Sequence, residues 1–232
     1  MKHSTKYGKC WIFFTLLVAL VLISNQETIL DPLESDLATH MLVEHALYVT
    51  IGALSILVAE NFLKIMVVYE NSRKKGNAAI FSHGLTSVSF VTKNWAQLIR
   101  WTFKLNRYGF FWISIAIGLV VVWHIPVLFN IATENRDIHV LQHISFIAVG
   151  ATSLLAIRSL GENSKIFLLF SMAGMMAFSG LVFVVSTERI YVFYSLDSHI
   201  QAGADMIISS IVLLLVGFPA YIIKRSLFFV RS

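Results

Sequence analysis

The sequence predicts an all-α polytopic membrane protein. It is a bundle of about six transmembrane helices with both termini in the cytoplasm, plus one basic amphipathic helix at the inner interface. Three observations carry this reading. Hydrophobic residues make up 57% of the chain and charged residues only 13%, against about 25% charged in a soluble domain. The apolar residues fall into six runs of roughly membrane-crossing length. The Lys and Arg outside those runs lie almost all on one side, which the positive-inside rule makes cytoplasmic.

The first run, 10–24, follows Lys2, Lys6 and Lys9. It ends Ile23-Ser24-Asn25-Gln26, with no small-x-small cleavage motif, so a retained anchor helix is expected rather than a signal peptide. An acidic loop (Glu27, Asp31, Glu34, Asp36) leads to the second run, 40–69. The segment 70–108 is too long for a plain bundle loop. Its second half, 89–107, reads as an interfacial helix. Val91, Trp95, Leu98, Thr102 and Leu105 form one stripe, and Lys93, Gln97, Arg100, Lys104 and Arg107 form another. A basic face opposite an apolar, Trp-bearing face lies flat on an anionic leaflet.

The remaining spans are 109–131, 138–158, 165–187 and 201–223. Pro126 should kink or stop the third, because it removes a backbone donor and clashes one turn back. Within the second, Glu60 and Lys64 stand four apart and read as a salt bridge. Fifteen Lys and Arg flank the spans on the inner side, and only Arg136 and Arg189 on the outer. No internal repeat or low-complexity tract is evident, so residues 1–232 read as one integral membrane domain. The single cysteine, Cys10, leaves no internal disulfide. The net charge of +5 reads as affinity for membrane lipids, not nucleic acid. No nucleophile elbow, phosphate-binding glycine loop or kinase signature is present, so no enzyme activity is expected.

The outer face gathers His40, His45, His124, His139, His143 and His199, six of the eight histidines. On an ideal α-helix His40 shares a face with Glu44, and Met41 shares the neighbouring face with His45. The first pair suits zinc, iron or Cu(II), and the second, with its thioether, Cu(I). His124 sits in Trp123-His124-Ile125-Pro126, at the expected kink. His139 and His143 are one turn apart on one face, a common way to present two imidazoles to one metal, and Gln142 is placed to orient them. Asp205 lies inside an apolar run, where an ionisable group is a functional candidate. Met172, Met175 and Met176 read as soft packing on the inner half of the fifth span. The candidate ligands are therefore His45, His124, His139, His143, His40, Met41, Glu44 and Asp205, with Met206 a further soft donor.

At these residues the chain resembles the CtaG family of membrane proteins, which take part in copper-dependent cytochrome oxidase assembly. The likeness rests on His40-Met41 with His45, and on Trp123-His124-Ile125-Pro126 with Leu128-Phe129, His139, Gln142-His143 and Phe146. Ala202-Gly203 with Met206 adds to it. Ser198-His199-Ile200-Gln201 stands where the family usually has an acidic residue and two glutamines, which points to a divergent, archaeal-like branch. The resemblance implies an extracytoplasmic copper site and a partner membrane oxidase or other copper enzyme subunit in the cell membrane. Within it, His45, His124, His139 and His143 form the core, with His40 and His199 as satellites. Three alternatives stand beside it: a non-catalytic accessory subunit of a membrane oxidase or monooxygenase, a haem b electron carrier, and a histidine-box di-iron hydroxylase. The last lacks a His-His doublet.

Overall fold

The structure, a computed structural model, describes residues 4–23, 35–75, 94, 97, 101, 104 and 110–229. Among the described residues every regular element is helical. The helices are α1 (Ser4–Ile23), α2 (His45–Lys75), α3 (Phe110–Trp123), α4 (Pro126–Glu134), α5 (Arg136–Ser159), α6 (Glu162–Val185) and α7 (Leu196–Phe229). A π-helical segment, Thr39–Glu44, runs directly into α2.

Four stretches are long and apolar enough to cross a membrane: Thr39–Ile65, Arg136–Ser159, Glu162–Val185 and Leu196–Ile223. The bent pair α3 and α4 makes a fifth if it is one span. The apolar part of α1, Ile12–Ile23, is shorter than these and covers most of the first expected run, 10–24. The acidic loop lies mostly outside the described residues. So does the interfacial helix expected over 89–107, apart from Asn94, Gln97, Trp101 and Lys104. Those four are helical and exposed, with Lys104 Nζ 5.4 Å from the centre of the Trp101 ring.

The break expected at Pro126 is sharp. The axis turns 70° between α3 and α4. Ile125 is extended (φ −66°, ψ 123°) and Pro126 opens the next helix, where its missing N–H costs no helical bond. Hydroxyls within the apolar helices bond back to carbonyls one turn earlier: Thr50 to Ala46, Ser55 to Ile51, Ser145 to Leu141 and Thr152 to Ala148. Such bonds leave no hydroxyl bare in an apolar medium.

Helix α5 is central, packing against α2 and α3, while α1 packs on α2 and α6 pairs with α7. Two glycine crossings set the closest approaches. A Cβ on Gly52 would overlap the Ile147 carbonyl oxygen, and one on Gly150 would overlap that of Val49. Gly180 and Gly203 stand in the same reciprocal relation between α6 and α7. Small residues let backbones meet where lipid offers no hydrophobic force between helices. The close course of α2 and α5 continues inward, so Glu60 pairs with Arg158 and not with Lys64, which is exposed. The outer ends are tied by Asp36, which accepts from Thr39 N and Ser198 Oγ, while Leu37 N donates to Ser198 Oγ.

Adding a methyl at the α2–α5 crossing should be destabilising by about 1–3 kcal/mol through overpacking. Gly174 faces open space, so Gly174→Ala should instead be neutral or stabilising by up to about 1 kcal/mol. Thermal unfolding of Gly52→Ala, Gly150→Ala and Gly174→Ala in detergent, followed by circular dichroism, checks the contrast.

Candidate metal centre

The site begins with the winding of the chain before α2. His45 N–H donates to the carbonyl of His40, five residues back, which defines a π turn. The extra residue underwinds the helix. His40, Glu44 and His45 thereby come to one side, and the rings of His40 and His45 stand 5.1 Å apart. The α-helical expectation that His45 belongs with Met41 on a separate face is corrected here. Met41 packs in an apolar cluster with Leu37, Phe129 and Met206.

The opposing wall is the start of α5. The Asn135 side chain accepts from Asp137 N and Ile138 N, and Asp137 complements the positive end of the helix. This cap fixes the first turns, from which His139 and His143 project with ring centres 4.2 Å apart, as their spacing predicts.

Glu44 is fully buried between the two walls. His143 Nε2 lies 2.6 Å and His139 Nε2 3.6 Å from its Oε1, and His40 Nδ1 lies 3.2 Å from its Oε2. One donor atom each from His40, Glu44 and His139 all fall within 4.8 Å of one another. The core is therefore His40, Glu44 and His139, with His143 against the carboxylate. The expected four of His45, His124, His139 and His143 is revised, because the π turn promotes His40 from satellite to member.

Many of these atoms lack a properly aligned hydrogen bond. Among the described residues, His40 Nε2, both ring nitrogens of His45 and both amide atoms of Gln142 have no hydrogen-bond partner, while Glu44 is met by the close nitrogens of His40, His139 and His143. Each bare buried polar group costs about 1–3 kcal/mol. A cation among them satisfies imidazole lone pairs and carboxylate together, and the set of imidazoles plus one carboxylate suits a borderline divalent ion. Phe146 stacks on His45 and Tyr48 on His143, both at 3.9 Å between ring centres.

Those two stacks belong to a local repeat that the sequence reading missed. His45, Tyr48 and Gly52 on α2 match His143, Phe146 and Gly150 on α5 at identical spacing. Each histidine stacks on the other helix's aromatic, and each glycine meets the carbonyl three residues before the other. Glu44 matches Gln142, both fully buried. His40 matches His139, and their rings stack at 5.6 Å and 14°. The one residue that the π turn inserts offsets this last pair only; the other four pairs align directly. A pseudo-twofold axis therefore runs between α2 and α5.

The break after α3 sets His124. Its Nδ1 donates to the Val120 carbonyl at 2.7 Å, which leaves Nε2 as a lone pair, and its ring stands 5.7 Å from that of His45. His199 is different. Nδ1 donates to Ser195 O at 2.8 Å and Nε2 accepts from Tyr191 N at 3.0 Å, so both nitrogens are engaged and the residue is structural. Tyr191 also donates from its hydroxyl to His124 O. Burial pushes that phenol's pKa up, which keeps it a donor. Asp205 is removed from the centre, because its carboxylate takes the Gln201 side-chain amide on α7.

The family model described as "Protein of unknown function (DUF1404)" matches residues 15–225. No curated protein and no solved structure matches this chain.

Removing the Tyr191 hydroxyl should cost about 1 kcal/mol, and His199→Ala more, about 2–3 kcal/mol, because it strands a buried N–H and a carbonyl. Thermal unfolding of Tyr191→Phe and His199→Ala in detergent should show that order.

Proposed function

This chain belongs to the DUF1404 family, and we propose that it is a multi-pass cell-membrane protein that binds copper at its extracytoplasmic face and helps to metallate a membrane oxidase. The single observation that carries the metal reading is the buried Glu44 carboxylate with His40, His139 and His143 around it, at 2.6–3.6 Å between nitrogen and oxygen. His40, Glu44 and His139 offer three donor atoms within 4.8 Å of one another. Cu(II) is the divalent ion that such nitrogen and oxygen donors hold most tightly.

Three further points support the role. The excess of Lys and Arg on one side puts the cluster's end of the bundle outside the cytoplasm. The side chains of His139 and His143 keep 14% and 13% of their surface exposed, which gives an ion a way in and out without unfolding. The Trp123-His124-Ile125-Pro126 and His139/His143 likeness to the CtaG family supplies the oxidase as recipient. The reading as a non-catalytic accessory subunit, with histidines bonding only to one another, is disfavoured by the number of unpartnered nitrogens and oxygens. The protein itself performs no chemistry on a substrate in this account.

Elemental analysis of copper-exposed, desalted protein tests the site. The wild type should retain copper. Glu44→Gln should weaken retention against a chelator on the order of 100-fold, and His139→Ala/His143→Ala should abolish the tightly held ion. Equal, substoichiometric metal in all three would defeat the proposal. In cells, deletion should lower the copper content of a membrane oxidase; unchanged oxidase copper would remove the delivery role.

A further inference from the structure

The pseudo-twofold between α2 and α5 has two halves, and the site described above uses only one. In that half Glu44 of α2 reaches across to His139 and His143 of α5. By that symmetry Gln142 of α5 is the counterpart of Glu44, and His40 and His45 of α2 are the counterparts of His139 and His143. We infer that this second half is a second metal position, bounded by His45, His124 and Gln142, so that the centre holds two ions with His40 between them. The inference rests on the metal reading above and extends it.

Four observations carry it. The compact donor group is His40, Glu44 and His139, with His143 against the carboxylate, so His45 and His124 stand outside it. His45 is buried with both ring nitrogens lacking a hydrogen-bond partner among the described residues. His124 has its Nδ1–H committed to Val120 O, which is the arrangement that readies Nε2 for a metal. The Gln142 side chain is 1% exposed, with its amide oxygen and nitrogen both unpartnered among the described residues. The spacing also fits: two imidazoles sharing an ion at about 2.0 Å per bond have ring centres no more than about 6.4 Å apart. His45 and His124 are at 5.7 Å, and His40 and His45 at 5.1 Å.

Charge separates the halves. Replacing the carboxylate by a neutral amide leaves imidazole and carbonyl donors without a negative charge, which hold a divalent ion more weakly than the Glu44 half does. The Glu44 half is the retaining position and the Gln142 half the exchangeable one, beside the α3–α4 break.

The test loads full-length protein in detergent with Cu(II), then measures copper per chain by mass spectrometry during a chelator titration. The wild type should hold two ions, one released at lower chelator. His45→Ala/His124→Ala should hold one. Gln142→Glu, which deletes nothing, should keep two and shift the weaker ion to at least about tenfold higher chelator, since a carboxylate now faces it. One copper in the wild type, or two weakly and strongly held ions persisting in His45→Ala/His124→Ala, overturns the second position while leaving the first intact. No copper in the wild type overturns the metal reading itself. An unshifted weak ion in Gln142→Glu, with helicity and monodispersity preserved, also counts against it.

Discussion

Two backbones meeting without side chains between them is the constraint on which the rest depends. At Gly52 and Gly150 the helices α2 and α5 approach so closely that a Cβ on either glycine would overlap a carbonyl of the other helix. Seven residues, two turns, separate each glycine from a histidine: His45 on α2 and His143 on α5. The crossing therefore fixes how near the histidine-bearing turns lie. It also brings the aromatic of each helix, Tyr48 or Phe146, flat against the other's imidazole. A larger residue at the crossing would splay the walls and take Glu44 out of reach of His139 and His143.

The second device is the π turn at Thr39–Glu44. An inserted residue in a helix is usually a cost that persists only where a site needs it. Here it swings His40 onto the side of Glu44 and His45, completing on α2 the set that α5 makes with plain α-helical spacing. The donor set is thus assembled from two copies of one pattern, one regular and one underwound. The difference that matters chemically is Glu44 in one copy and Gln142 in the other. In the proposed centre, Glu44 brings the one negative charge among neutral imidazoles, which offsets half the charge of a divalent cation where unpaired charge is heavily penalised. The shared position of His139 and His143 near the exposed rim keeps that hold reversible.

Much of this was legible in the sequence, and the remainder was hidden for identifiable reasons. Hydropathy located α2, α3, α5, α6 and α7 because each carries an uninterrupted apolar run. Pro126 announced the break because a proline leaves a helix few choices. The His139/His143 pair was readable because four residues make one α-turn. His40 was misassigned because α-helical phase was assumed through a segment that is π. The match of His40 to His139 was hidden for the same reason, since one inserted residue shifts that pair out of register. The pairing of Glu60 with Arg158 depends on which helices touch, which spacing along one helix cannot reveal. His199 is the instructive case: it sits among the others in sequence terms, but its two nitrogens meet Ser195 and Tyr191.

The account's central claim is a metal held by imidazole and carboxylate alone, with the nearby methionines packed in the apolar core. X-ray absorption at the copper edge of the loaded protein addresses it directly. The account predicts a nearest shell of nitrogen and oxygen at about 2.0–2.1 Å, with the outer-shell scattering of several imidazoles. A sulfur shell at about 2.3 Å, or a shell of light atoms without imidazole scattering, would contradict it.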